Sequence, residues 1–209
     1  MASPHAVTYA DGPLFLHLLY NEAVRQRPPA WKAWLSRELG RAERLTVLGV
    51  GNVARGDDAA GVRAAEALAR RTGAARLAVF VTEEAPENFT GAVRAFAPSH
   101  VLVLDAASVG YPPGTVFPVA PLAVPDEDVS THRTPLSTLA EYFERTVGCR
   151  VLVLGIEPKA FNPGAPLSAP VRRAVGEVAS YLAGLAGRRL RSSSASGRRC
   201  SGSSPRPRA

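Results

Sequence analysis

Two adjacent acids, Asp57 and Asp58, stand in a short loop between an apolar run and a helical stripe. A third acid, Asp105, closes a later apolar run, and His132 stands in Ser130-Thr131-His132-Arg133-Thr134-Pro135, just before a helical pattern. Two carboxylates and an imidazole form a reasonable partial shell for a divalent metal. Each residue also has a plain structural reading. A carboxylate near a helix N-terminus is favoured by the dipole and caps free N–H groups. Asp105 reads equally as a cap of the turn after it, and His132 as a cap of its helix. Capping accounts for one acid of the Asp57-Asp58 pair and less well for the second.

The elements that must position these residues alternate between strand and helix. Residues 45–50 are an apolar run that breaks at Gly49, Gly51 and Asn52, residues suited to a tight turn. A helical stripe starts near Ala59, with Val62, Ala65 and Leu68 at 3/4 spacing. Residues 77–81 read as a second strand and 87–97 as a helix with Phe89, Val93 and Phe96 on one face. A third strand spans 101–104 and ends at Asp105; 115–119 reads as a short extra strand after Pro112-Pro113-Gly114. A helix over 135–147, a strand over 150–155 and a closing helix over 169–185 complete the pattern. Upstream, Pro28 and Pro29 open an amphipathic helix over 29–39, with Trp31, Trp34, Leu35 and Leu39 inward. This order predicts an α/β fold: a three-layer sandwich with a mostly parallel, twisted central sheet flanked by helices. Its ligand crevice lies beyond the carboxyl ends of the strands, where Asp57, Asp58, Asp105 and His132 can converge.

Gly49-Val50-Gly51-Asn52-Val53-Ala54 also fits a dinucleotide fingerprint. Asp57 and Asp58 would place negative charge where pyrophosphate should sit. The first acid suited to the ribose, Glu83, lies well beyond the expected spacing of about 20 residues. A cation fits the loop better.

At 209 residues and 22.0 kDa, one domain with a substantial core is expected. We expect an N-terminal extension over 1–27, the domain over 28–186 and a tail over 187–209. The net charge of +7 is carried by seven tail arginines with no tail acid, which leaves residues 1–186 neutral. That argues against a nucleic-acid-binding body. The tail is Ser-, Gly-, Pro- and Arg-rich, reads as solvated and disordered, and is open to an acidic partner. Cys149 and Cys200 are too few for a disulfide framework or a zinc finger. No apolar run suits a membrane span and no secretory signal is visible, so a cytoplasmic protein is expected.

Leu48-Gly-Val-Gly-Asn-Val-Ala-Arg-Gly-Asp-Asp-Ala-Ala-Gly-Val62 resembles the signature of the nickel–iron hydrogenase maturation endopeptidases. Ala85-Pro86-Glu87-Asn88, Leu104-Asp105-Ala106, Ser130-Thr131-His132 and Leu154-Gly155-Ile156-Glu157-Pro158 resemble its later motifs, in the same order. The likeness runs from Trp31 to Leu185 and is closest to the hydrogenase 3 and archaeal-type branch. It implies an endopeptidase that removes the C-terminal extension of a hydrogenase large-subunit precursor after nickel insertion. It maps the metal-contacting and catalytic roles onto Asp58, Asp105 and His132. It also implies that the nickel is presented by cysteines of the substrate and is not a resident cofactor. Gly51, Asn52, Asp57, Glu83, Glu84, Glu87 and Asn88 fall where substrate would be contacted. One departure stands out: Thr82-Glu83-Glu84 replaces a small, Gly-containing stretch usual before Ala-Pro-Glu-Asn. Two other readings compete: a nickel-sensing chaperone that binds the large subunit without cutting it, and a nucleotide- or metal-dependent enzyme on a similar fold.

Overall fold

The computed structural model describes residues 30–119 and 136–190. Expectations for the N-terminal extension, for His132 and for the tail beyond 190 lie outside the described residues. Helix α1 (Trp31–Glu38) leads through a 3₁₀ turn into strand β1 (Leu45–Val50). Helix α2 (Ala60–Ala69), β2 (Leu77–Glu83), α3 (Thr90–Phe96), β3 (His100–Ala106) and β4 (Val116–Val119) follow. Helix α4 (Leu136–Val147), β5 (Arg150–Ile156) and α5 (Ala169–Arg189) complete the order.

The five strands lie in the order β2-β1-β3-β5-β4. β1, β2, β3 and β5 are parallel; the short β4 pairs antiparallel with β5. All six residues of β1 are buried, as expected of a parallel strand covered on both faces. Leu45, Val47, Leu102, Leu104, Leu152 and Leu154 face a core built with α1, α2 and α5. Leu48, Val50, Val101, Val103, Val151 and Val153 face the other way, onto Val93 of α3 and Leu139 and Phe143 of α4. This is the expected three-layer sandwich.

Element boundaries shift where backbone pairing outlasts apolarity. β3 continues through Asp105 and Ala106, which pair with Gly155 and Ile156 of β5. β2 continues through Thr82 and Glu83, where Val50 pairs with Glu83 after a register shift. The helix expected from residue 87 begins instead as a 3₁₀ turn, Pro86–Phe89, and becomes α-helical at Thr90. The expected domain end at 186 falls inside α5, and Leu190 is itself buried in the α1/α2/α5 core.

The order of the strands creates the crevice. From β1 the chain crosses to β2 on one side, then returns to place β3 on the other. The carboxyl ends of β1 and β3 are therefore the point where the sheet's winding reverses, the usual ligand site of such folds. Helix α2 sits tightly there. A Cβ on Gly61 would stand 2.1 Å from the Leu104 carbonyl oxygen and 2.4 Å from that of Val50. Only glycine lets the first turn of α2 seat on both strand ends.

Candidate active site

The first loop is folded by its own backbone. Gly51 has φ +135°, and a Cβ there would lie 1.9 Å from the Asp58 carbonyl oxygen. Any side chain would push the loop apart. Asn52 Oδ1 accepts the Ala54 N–H at 2.8 Å, and the Arg55 and Asp58 N–H groups go to the Asn52 and Arg55 carbonyls. The Gly51 and Asp57 N–H groups go to the Glu83 and Ala160 carbonyls. Five amides of this loop are thus engaged within the protein, which counts against a phosphate cradle there.

The two acids occupy one four-residue 3₁₀ turn, Gly56–Ala59. Successive residues of such a turn diverge by about 120°, so the neighbouring side chains part company. Asp57 is 2% exposed. Its Oδ2 accepts the Lys159 N–H at 2.8 Å and the Ala160 N–H at 3.4 Å; its Oδ1 accepts the Ser168 N–H at 2.6 Å. The sequence places Asp57 among the substrate contacts, whereas the structure engages its carboxylate with the loop between β5 and α5. Asp58 is fully buried, with the Arg55 guanidinium 4.0 Å from its Oδ2.

The turn that carries Asp58 packs against β3, and Asp105 is the next-to-last residue of that strand. Asp105 is 1% exposed and accepts the Ala106 N–H at 2.8 Å. Side chains alternate along a strand, so Asp105 shares the sheet face of Val101 and Val103, towards α3 and α4. Asp58, in the turn after β1, and Asp105, near the end of β3, therefore lie at the same end of the sheet, beside its reversal point. Among the described residues no third His, Cys, Asp or Glu joins them as a metal-holding group; His132, expected as the third member, lies outside the described residues.

Glu157 is the residue whose role the sequence did not disclose. It is buried, and Oε2 accepts the Val109 N–H at 3.0 Å while Oε1 accepts the Gly110 N–H at 3.1 Å and the Ser108 hydroxyl at 3.4 Å. It thereby pins the loop that leaves β3 just after Asp105. The signal was an acid directly after the apolar run of β5. A carboxylate in that place is costly unless local donors receive it.

The rim beside β2 holds the remaining expected residues. Glu83 and Glu84 are exposed, Glu87 is half-buried and Asn88 is exposed. Glu83 adopts φ +49°, a left-handed conformation that favours glycine. This explains physically why a Gly-containing stretch suits the position. Cys149 is no nucleophile for this crevice: burial pushes its thiol up, and it precedes β5, at the opposite end of the sheet. The seven residues of β5 at about 3.3 Å each separate it from the crevice by roughly 20 Å.

The family model for hydrogenase maturation protease (HycI) matches residues 62–184. The chain is 32% identical over 142 residues to the hydrogenase 3 maturation protease of Escherichia coli K12, covering 68% of this chain and 90% of that protein. The chain belongs to the hydrogenase maturation protease family. It is accordingly a peptidase. The crystal structure of the NiFe hydrogenase maturation protease HycI from Thermococcus kodakarensis superposes with a TM-score of 0.69 at 29% identity, covering 73% of this chain and 97% of that one. HybD of Escherichia coli, at 23% identity and a TM-score of 0.59 over 69% of this chain and 93% of that one, shares the fold. The family match begins within α2, so the loop bearing Asp57 and Asp58 precedes it. Among the described residues of this maturation protease no helix is long and apolar enough to cross a membrane.

Proposed function

We propose that this maturation protease removes the C-terminal extension from the large-subunit precursor of a NiFe hydrogenase once nickel has been inserted. The observation that supports the reading is that two buried carboxylates, Asp58 in the turn after β1 and Asp105 near the end of β3, flank the reversal point of the sheet in a chain of this family. The nickel belongs to the substrate, held by precursor cysteines. Asp58, Asp105 and His132 meet it at its open positions, since carboxylate and imidazole both suit nickel. A metal-polarised carbonyl or an activated water then serves the hydrolysis. The rim of Gly51, Asn52, Glu83, Glu84, Glu87 and Asn88 receives the peptide on either side of the cut.

The test is incubation of the protein with nickel-loaded and nickel-free precursor, followed by mass spectrometry. Loaded precursor should lose its C-terminal extension and nickel-free precursor should stay whole. Equal cutting of both, or of neither, would overturn the reading.

A further inference from the structure

Adjacent acids in one short turn call for two explanations, and the contacts of Asp57 supply the second. We propose that Asp57 is a positioning residue: by clasping the Lys159, Ala160 and Ser168 amides it fixes the turn that carries Asp58, and so sets where the Asp58 carboxylate stands in the crevice. This rests on the peptidase reading above for its substrate.

The turn is gripped from two sides. On the β1 side, Gly51 lies directly beneath the Asp58 carbonyl. On the other side, Asp57 reaches across 102 to 111 residues of sequence to the β5–α5 loop. Ser168 is the N-cap of the 21-residue α5, so the carboxylate also meets the positive end of that helix. Helix α5 packs against α2, whose first turn seats on β1 and β3. Asp57 therefore ties the turn to the same rigid body that holds Asp105. Without it, the hydrogen bonds left on this side among the described residues are the weak Asp57 N–H bond to Ala160, at 3.4 Å, and the Gly164 N–H bond to the Ala54 carbonyl, at 2.7 Å. Neither involves a charged group. Because the 3₁₀ turn rotates each residue by about 120°, fixing Asp57 outward towards α5 fixes the direction of Asp58 as well.

Asp57→Asn in the full chain tests this. It keeps the shape but turns an amide donor towards backbone donors. Hydrogen exchange followed by NMR should show the Lys159, Ala160 and Ser168 amides losing protection by at least about tenfold, with the β1 and β3 amides unchanged. On nickel-loaded precursor, kcat should fall about 10- to 100-fold with KM within about twofold, the pattern of a misplaced catalytic group. Ser168→Pro gives a second route should Asp57→Asn fail to fold. Ser168 has φ −61°, which proline accepts, and its hydroxyl has no hydrogen-bond partner among the described residues. That variant removes only one donor to Asp57, and kcat should fall about 3- to 10-fold. Normal kcat in folded Asp57→Asn whose three amides have lost protection, or in folded Ser168→Pro, would overturn the proposal. A raised KM at normal kcat would overturn it too, by making Asp57 a substrate contact. Wild-type protein that leaves loaded precursor uncut would instead bring down the peptidase assignment of the substrate, and this inference with it.

Discussion

Gly51 donates its backbone N–H to the Glu83 carbonyl at 3.1 Å, and both residues hold positive φ, +135° and +49°. One bond thus joins the loop that bears Asp57 and Asp58 to the end of β2, where Glu83 and Glu84 are exposed. Glycine takes such a conformation freely; a glutamate there is strained by about 1 kcal/mol or more.

Glu83→Gly should therefore leave the melting temperature unchanged or raise it, by no more than the equivalent of about 1 kcal/mol. Glu83→Val should lower stability by more than about 1 kcal/mol, since a β-branched residue resists positive φ. The Glu83→Gly, Glu84→Gly double variant should fold and change the cleavage rate on its own precursor, because both side chains are exposed on the rim. Thermal denaturation and cleavage assays check the set, and an unfolded double variant would make these acids structural.

Much of this was legible in the sequence, for a definite reason. β1 was readable to the residue because it is apolar apart from Thr46 and is followed directly by the turn residues Gly51 and Asn52. Asp58 and Asp105 could be nominated because the strand ends of an alternating fold face one crevice, and both lie buried at those ends. The ends of β2 and β3 were not readable, because Glu83 and Asp105 belong to the ladder through backbone pairing that side-chain type does not report. The different fates of Asp57 and Asp58 were beyond reach for a similar reason. The amides that claim Asp57 lie 102 to 111 residues away, and those that claim Glu157 lie 47 and 48 residues away. A carboxylate's neighbours in sequence say nothing about donors brought to it by the fold.

The position of Leu190 moves the point at which the chain can be cut back. Leu190 is 3% exposed and joins Leu39, Leu45, Leu185 and Ala186 in the core beneath α1. Ending the chain after Ala186 should cost stability, on the order of 2–4 kcal/mol, by removing a buried leucine and the last turn of α5. Ending it after Leu190 should leave fold and cleavage intact. A comparison of the two shortened chains by thermal melting and precursor cleavage checks this; equal melting would mean that Leu190 packs too weakly to matter.

His100 gives the fold a pH response remote from the site. It opens β3 at the end opposite Asp105, with Nδ1 3.0 Å from the Ser99 hydroxyl. Burial, and then the Arg150 charge, lower its pKa below the usual 6.5, against a smaller opposing effect of Glu38. The unfolded chain therefore takes up the proton first as pH falls. The contribution of this residue is fully present above pH 6.5 and is lost as pH falls from there towards the lowered folded value. The melting temperature should drop between pH 7.5 and 5, and less so in His100→Gln. Identical pH slopes in the two proteins would show that His100 titrates alike in both states.

The acids at the crevice should separate activity from stability. Asp58 and Asp105 are buried carboxylates near a strand end, and neither is part of the apolar core. Asp58→Asn and Asp105→Asn keep shape and remove charge, so each should still fold, at a cost of no more than about 3 kcal/mol. Asp105→Asn keeps an oxygen that can still accept the Ala106 N–H. His132→Ala takes away an imidazole from a residue three before Pro135 and should fold normally. Each variant should nevertheless cut nickel-loaded precursor far more slowly than wild type. The three losses should combine less than additively, because groups that meet one metal ion act as a unit. If the proposed reading holds, the variants should also lose the preference for loaded over nickel-free precursor. Single-turnover cleavage of both precursors by wild type, the three single variants and the Asp58→Asn, Asp105→Asn pair measures all of this. Full activity in His132→Ala, or strictly additive losses in the pair, would break the assignment of these residues to one nickel-reading site.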